Sequence, residues 1–128
     1  MKIIVKKLIG AGTLLAFSLT LAACSQQNPL QKELKTNGTK ATAKFLLMAA
    51  KYGEHELKLS QDIGSGFVYS NCMKGKTTGE KCTKLYSEMV IFAHKNPEYR
   101  SLSVSDITDK KLWQSISQDY DDLRFTTL

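Results

Sequence analysis

Apolar residues in the last quarter of the chain recur at helical spacing. Trp113, Ile116, Tyr120 and Leu123 follow one another at i, i+3, i+7 and i+10, and the residues between them are mostly charged or polar. Thr108 has a side chain that is typical of a helix N-cap. The pattern predicts an amphipathic helix that begins after Thr108 and buries its aromatic face.

The same period predicts a second helix, from about residue 79 to residue 95. Its apolar face consists of Cys82, Leu85, Tyr86, Met89 and Ala93. The following run Val90-Ile91-Phe92 indicates that the second half of this helix is buried on more than one side. Pro97 prevents the helix from continuing.

Two further helices are predicted before residue 53. Asn28 followed by Pro29 is typical of a helix start, and this first helix should end before Gly38. Residues 41–52 form a largely apolar second helix, and Gly53 fits its C-terminal stop.

The segment after Gly53 is ambiguous. Residues 53–60 have enough alternation for a brief strand, whereas Ser60 is a suitable start for another helix that ends near Cys72. Residues 100–106 predict a loop or a short extended piece. Taken together, the pattern predicts an all-α fold, a small bundle of four or five helices.

The first 21 residues differ from the rest of the chain. Lys2, Lys6 and Lys7 are followed by an uncharged apolar run, residues 8–21. As a helix this run is roughly 21 Å long, which is too short for an ordinary membrane span. A basic start followed by a short apolar run is typical of a secretory signal peptide.

Small residues then lead to a cysteine. The sequence Leu21-Ala22-Ala23-Cys24 resembles the lipobox of bacterial lipoproteins at all four positions. The resemblance implies that a lipoprotein signal peptidase recognises Leu21, Ala22 and Ala23 and cleaves before Cys24. It also implies that the Cys24 sulfur carries diacylglycerol and that the new amine carries a fatty acyl chain. Ser25, in place of Asp, then favours a lipid-anchored protein in the outer membrane that faces the periplasm.

This interpretation divides the chain into three parts. Residues 1–23 are the signal peptide, residues 24–38 the lipidated N-terminus and tether, and residues 39–128 a small periplasmic domain. Removal of the signal leaves 15 basic and 12 acidic residues, a formal charge of +3. This charge is too small and too scattered to predict binding to nucleic acid.

If Cys24 carries lipid, Cys72 and Cys82 remain as a pair. Exported proteins occupy an oxidising compartment, and the polar residues between the two cysteines allow the chain to turn back. We therefore expect a disulfide that links two helices as a hairpin. Free thiols, or a metal site with His55 or His94, are the alternatives, although no metal-ligand spacing supports the second.

No motif in the sequence indicates catalysis. His55 lies between Glu54 and Glu56, and we interpret this segment as a solvated charged loop rather than as a general base. Gly64-Ser65-Gly66 lacks the G-x-S-x-G spacing of a nucleophile elbow. We therefore expect no enzymatic activity, no metal and no cofactor beyond the lipid on Cys24.

A small tethered domain without a catalytic motif is best suited to protein contacts. We expect a structural or protein-interaction subunit of a cell-envelope assembly, of the kind found in secretion or conjugation systems, with an envelope protein as its partner. The alternatives are a blocking lipoprotein of the entry-exclusion or inhibitor type, and a periplasmic binder of small ligands. The sequence does not predict an oligomeric state.

Overall fold

A computed structural model describes residues 28–59 and 65–126, which form five α-helices and, within these ranges, no β-strand. The helices are α1 (Pro29–Glu56), α2 (Phe67–Met73), α3 (Glu80–His94), α4 (Val104–Ile107) and α5 (Lys110–Arg124), with a 3-10 turn at Pro97–Tyr99. The all-α prediction is confirmed. The predicted signal peptide, lipobox and lipidated Cys24 lie outside the described residues.

Helix α1 is interrupted at the predicted position. Its N-cap is Asn28, whose side-chain oxygen accepts a 2.8 Å hydrogen bond from the Gln31 N–H. Gly38 has φ 95° and ψ 177°, outside the helical region, so the helical path is broken there. Leu30 is fully buried, which places the first part of α1 in the domain core.

The expected stop at Gly53 is wrong. Helix α1 continues to Glu56, which also rules out the brief strand. Gly53 is buried, and a Cβ at this position would lie 2.8 Å from Leu85 Cδ1 and 3.2 Å from Glu88 Cβ. The missing side chain therefore allows α1 to pack closely against α3.

Helix α1 ends in a Schellman motif. The Leu59 N–H donates to the Glu54 carbonyl at 3.0 Å, and the Lys58 N–H donates to the His55 carbonyl at 3.1 Å. Lys58 has φ 55°, the left-handed conformation that this motif requires and that glycine usually supplies. A lysine at this position explains why the sequence gives no clear stop signal.

The core lies where α1 packs against α3 and α5. Tyr69 of α2 is fully buried among aromatic rings, at 5.6 Å between centroids from Trp113 and 5.5 Å from Tyr120, in edge-on arrangements. The Tyr69 hydroxyl donates to the Ile107 carbonyl at 2.6 Å, which connects α2 to α4. The prediction that Trp113 and Tyr120 belong to the core is confirmed.

The disulfide-linked hairpin is also confirmed. Cys72, near the end of α2, is bonded to Cys82, in the first turn of α3, with an S–S distance of 2.09 Å and a Cα–Cα distance of 5.8 Å. The bond closes the connection between the two helices and joins the short α2 to the longer α3.

Three smaller expectations are corrected. Ile91 is 48% exposed, because α3 buries only the face that its helical spacing predicts. Residues 104–107 form the helix α4, where the prediction for residues 100–106 was a loop or a short extended piece. Asp109, not Thr108, is the N-cap of α5, since its carboxylate accepts a 2.9 Å hydrogen bond from the Leu112 N–H.

In the part of the chain that the structure describes, no helix combines the length and the apolar character needed to cross a bilayer.

Candidate interaction surface

A buried carboxylate joins α1 to the start of α2. Glu54 is 1% exposed, and its two oxygens accept hydrogen bonds from the Gly66 N–H at 2.8 Å and the Val68 N–H at 3.2 Å. These N–H groups belong to the first turn of α2, where no intrahelical acceptor is available. Glu54 therefore caps α2 from a neighbouring helix. Burial raises the pKa of the Glu54 carboxyl above its ordinary value, and the two N–H donors offset part of this effect.

Gly66 is held from its other side as well. Its carbonyl accepts a 2.6 Å hydrogen bond from the hydroxyl of Tyr120 in α5. Burial raises the pKa of Tyr120 well above its usual value, so the hydroxyl keeps its proton and remains a donor. Glu54, Gly66 and Tyr120 thus connect α1, α2 and α5 at one point.

The sequence interpretation missed the role of Glu54, which was expected in a solvated loop. The error follows from the stop that was predicted at Gly53. Had the helical period been continued, Glu54 would fall at i+4 from Ala50 and i+7 from Leu47, both of which are buried. That spacing is the signal in the sequence that identifies a buried carboxylate.

The aspartates of α5 also connect helices. Asp121 accepts hydrogen bonds from Ser70 at 3.1 Å and Lys74 at 2.8 Å, both at α2, and its carboxylate lies 3.4 Å from Arg124 Nε. Burial alone would raise the pKa of Asp121, but the hydrogen bonds from Lys74 and Ser70 outweigh it and lower the pKa. Asp119 accepts a hydrogen bond from the Thr39 hydroxyl in α1.

The two histidines have different neighbours and do not share a site. His55 is exposed near Glu56, with 3.7 Å between His55 Nδ1 and Glu56 Oε2. His94 Nε2 lies 2.8 Å from the Leu102 carbonyl, so this ring holds the segment after α3. Within residues 28–59 and 65–126, no three His, Cys, Asp or Glu side chains converge in the manner of metal ligands.

An apolar surface remains between α1 and α3. We define the aromatic face as Phe45, Met48 and Tyr52 of α1 with Ile91 and Phe92 of α3. The Phe92 ring lies 6.1 Å from the Phe45 ring and 5.4 Å from the Tyr52 ring, measured between centroids. The three rings are half-buried, whereas Met48 and Ile91 are each 48% exposed.

The aromatic face has a cation at its edge. Lys95, in the turn after α3, places its Nζ 4.3 Å from the centroid of the Tyr52 ring. It forms no ion pair with any of the described residues. The face therefore combines exposed apolar groups, half-buried rings and a positive charge whose counter-charge is not supplied by the described domain.

A second surface on α1 is basic. We define the basic stripe as Lys40, Lys44 and Lys51, which follow at i, i+4 and i+11. Lys40 and Lys44 are exposed and Lys51 is half-buried.

Comparison of the chain with protein-family models, with curated proteins and with solved structures finds no match in any of the three. Any function must therefore be argued from these surfaces and from the sequence.

Proposed function

We propose that this protein is a lipid-anchored, non-enzymatic subunit of a cell-envelope assembly and binds another envelope protein through the aromatic face. The observation that supports this most is the group of half-buried rings Phe45, Phe92 and Tyr52, with Met48 and Ile91 exposed on the same two helices. Aromatic residues and methionine are enriched in protein interfaces relative to the rest of the surface.

The surface also indicates the chemistry of the partner. The exposed side chains of Met48 and Ile91 call for an apolar surface opposite them. Lys95, whose Nζ lies over the Tyr52 ring, is placed to form an ion pair with a carboxylate at the edge of the partner's apolar surface. We therefore expect a partner that presents apolar side chains with an Asp or Glu beside them.

Lipid attachment at Cys24 supplies the location. A single acyl chain gives only marginal binding to a bilayer, whereas two or three chains give stable attachment. The Cys24→Ser substitution should prevent lipidation and cleavage after Ala23, so that the precursor accumulates at its full mass. Intact mass and membrane partition of the wild-type protein and the variant measure this. A variant that is processed and anchored as before would contradict the lipoprotein proposal.

The partner proposal is tested by crosslinking in intact cells. A photo-crosslinking amino acid replaces Ile91 in one variant and Val104 in the other, since Val104 is an exposed apolar residue (40%) outside the aromatic face. We expect a defined set of envelope proteins at Ile91 and not at Val104, and their copurification in a fixed ratio. Lys95→Glu should reduce the Ile91 crosslink if a carboxylate lies opposite.

The outcomes separate the proposal from its alternatives. If Ile91 crosslinks to a single protein, and only when a foreign partner is introduced into the cell, the protein is a blocking lipoprotein and not an assembly subunit. Equal crosslinking at Ile91 and Val104, or none at either position, would refute the aromatic face as the interface. If neither position crosslinks, an increased melting temperature of the protein in lipid or small-molecule extract would identify it as a ligand binder.

A further inference from the structure

Positive charge in the described domain is concentrated at its N-terminal helix. Residues 28–59 contain six lysines and three glutamates, one of which is the buried Glu54, whereas residues 65–126 contain nine basic and eight acidic residues. Most of the net charge of the predicted mature chain therefore lies on α1 and its C-terminal turn.

Most of these lysines form no ion pair within the described domain. Lys74 and Lys84 form ion pairs with Asp121 and Glu80. Among the described residues, by contrast, no acidic side chain lies within ion-pair distance of the α1 lysines at positions 32, 35, 40 and 44. Free positive charges on one element raise the local potential and attract an anionic surface.

The stripe lysines share one side of the helix. At 3.6 residues per turn, Lys40, Lys44 and Lys51 fall within about 40° of arc around the α1 axis. Tyr52 lies about 100° further round, on the side that faces α3, and exposed Met48 lies between the stripe and Tyr52. A flat anionic surface can therefore contact the stripe and leave the Tyr52 side of the aromatic face open to a protein.

Helix α1 is also the element next to the predicted anchor. Only residues 25–27 separate Cys24 from the N-cap Asn28. Four fully extended residue steps span at most about 15 Å. The N-terminus of α1 is thus held within about 15 Å of the anchor, and contact of the helix with that bilayer needs no diffusional encounter.

We propose that α1 lies along the surface of the bilayer that holds Cys24, with Lys40, Lys44 and Lys51 on the phosphates of anionic phospholipids. The proposal depends on the lipid anchor proposed above. Each lysine near an anionic surface favours the bound orientation by about fivefold. Because Asp119 accepts a hydrogen bond from Thr39 beside Lys40, we expect Lys44 to make the stronger contact.

Lysine acylation tests the orientation on the lipidated protein itself. The protein is reconstituted in vesicles of phosphatidylglycerol with phosphatidylcholine, and in vesicles of phosphatidylcholine alone. Acylation rates are then read residue by residue by mass spectrometry. We expect Lys44 to react about fivefold more slowly on the anionic vesicles at low salt, with the difference lost at high salt. Lys110 and Lys111, exposed at the start of α5, are the internal controls and should react equally on both.

A pair of matched variants completes the test. Lys40→Gln with Lys44→Gln, and Lys110→Gln with Lys111→Gln, remove the same charge from two exposed helix surfaces. Only the first should abolish the protection of Lys51 on anionic vesicles. Equal acylation of Lys44 on both kinds of vesicle would overturn the proposed orientation while the protein still floats with the vesicles. Failure to float with either kind would instead refute the anchor. Protection seen only in intact cells would assign the stripe to an acidic protein and overturn the lipid proposal.

Discussion

Gly66 is the position at which a single added methyl group should affect the fold most directly. Its φ is +84°, in the left-handed region, and a Cβ here would lie 2.3 Å from Leu47 Cδ1 and 2.9 Å from the Tyr120 hydroxyl. Gly75 has a similar φ of +77°, but nothing lies within 4 Å of its Cβ position. The two glycines therefore separate backbone strain from crowding.

The expected magnitudes follow from these contacts. An alanine in the left-handed region costs about 1–2 kcal/mol, and the reduced entropy of the unfolded chain returns about half of the smaller figure. Gly75→Ala should therefore lower the free energy of unfolding by about 1 kcal/mol. Gly66→Ala adds overpacking in the core, about 1–3 kcal/mol. We expect its total cost to be about 3 kcal/mol.

Urea unfolding followed by the fluorescence of Trp113, the single tryptophan of the chain, measures both variants with the disulfide intact. The crowding can be isolated further in a Leu47→Ala background, where Gly66→Ala should cost about 1 kcal/mol less because its main steric neighbour is gone. Equal losses for Gly66→Ala and Gly75→Ala would refute the reasoning, because only crowding distinguishes the two positions.

Four further predictions concern two buried or paired carboxylates, the disulfide and the end of α1. The pKa of Glu54 is raised in the folded state, so its contribution to the free energy of unfolding is full below the ordinary value near 4.5 and is lost as the pH rises through the folded pKa. Urea midpoints of the wild-type protein should therefore decline across this pH range. The midpoints of Glu54→Gln should not show this decline. The pKa of Asp121 is lowered, so the pH dependence has the opposite sign: the stability that this carboxylate contributes above pH 3.8 is lost as the pH falls through the folded pKa. Asp121→Asn should remove this pH dependence of the urea midpoint. Cys72→Ser with Cys82→Ser should lower the free energy of unfolding by about 3 kcal/mol, and no loss relative to the oxidised wild type would contradict the cross-link argument. Lys58→Gly should raise it by about 1 kcal/mol, since glycine adopts φ 55° without strain, and a lower urea midpoint would contradict this.

Helical periodicity predicted the elements that pack on a single face. The last helix was identified correctly because Trp113, Ile116 and Tyr120 are buried and the residues between them are not. The disulfide was predictable from the parity of the cysteines and the polar segment between them. In both cases local sequence and tertiary packing agree, which is the condition under which a pattern is informative.

The incorrect predictions arise where tertiary contacts override a local signal. Gly53 looks like a helix stop, but its lack of a side chain serves the contact with Leu85. Lys58 makes the turn that glycine usually makes, so the true end of α1 gives no signal. The local spacing shows that Glu54 is buried, but the close approach of two helices and the N–H groups that Glu54 caps, twelve residues away at Gly66, are not visible in any short window of sequence.

Helix α1 carries three separate sectors, and this division links the fold to the proposed function. One sector, with Leu46, Ala50 and Gly53, packs in the core, so its substitution should change stability. Exposed Lys40, Lys44 and Met48 lie on the outer side of the helix, where substitutions should leave the fold intact and change contacts instead. A helix that begins a few residues after a membrane anchor is constrained to lie near the bilayer, and a protein bound to its aromatic face is then held at the same membrane. In the proposed function the stripe depends on the anchor, whereas Lys40 and Lys44 can be substituted without removing the anchor or the aromatic face.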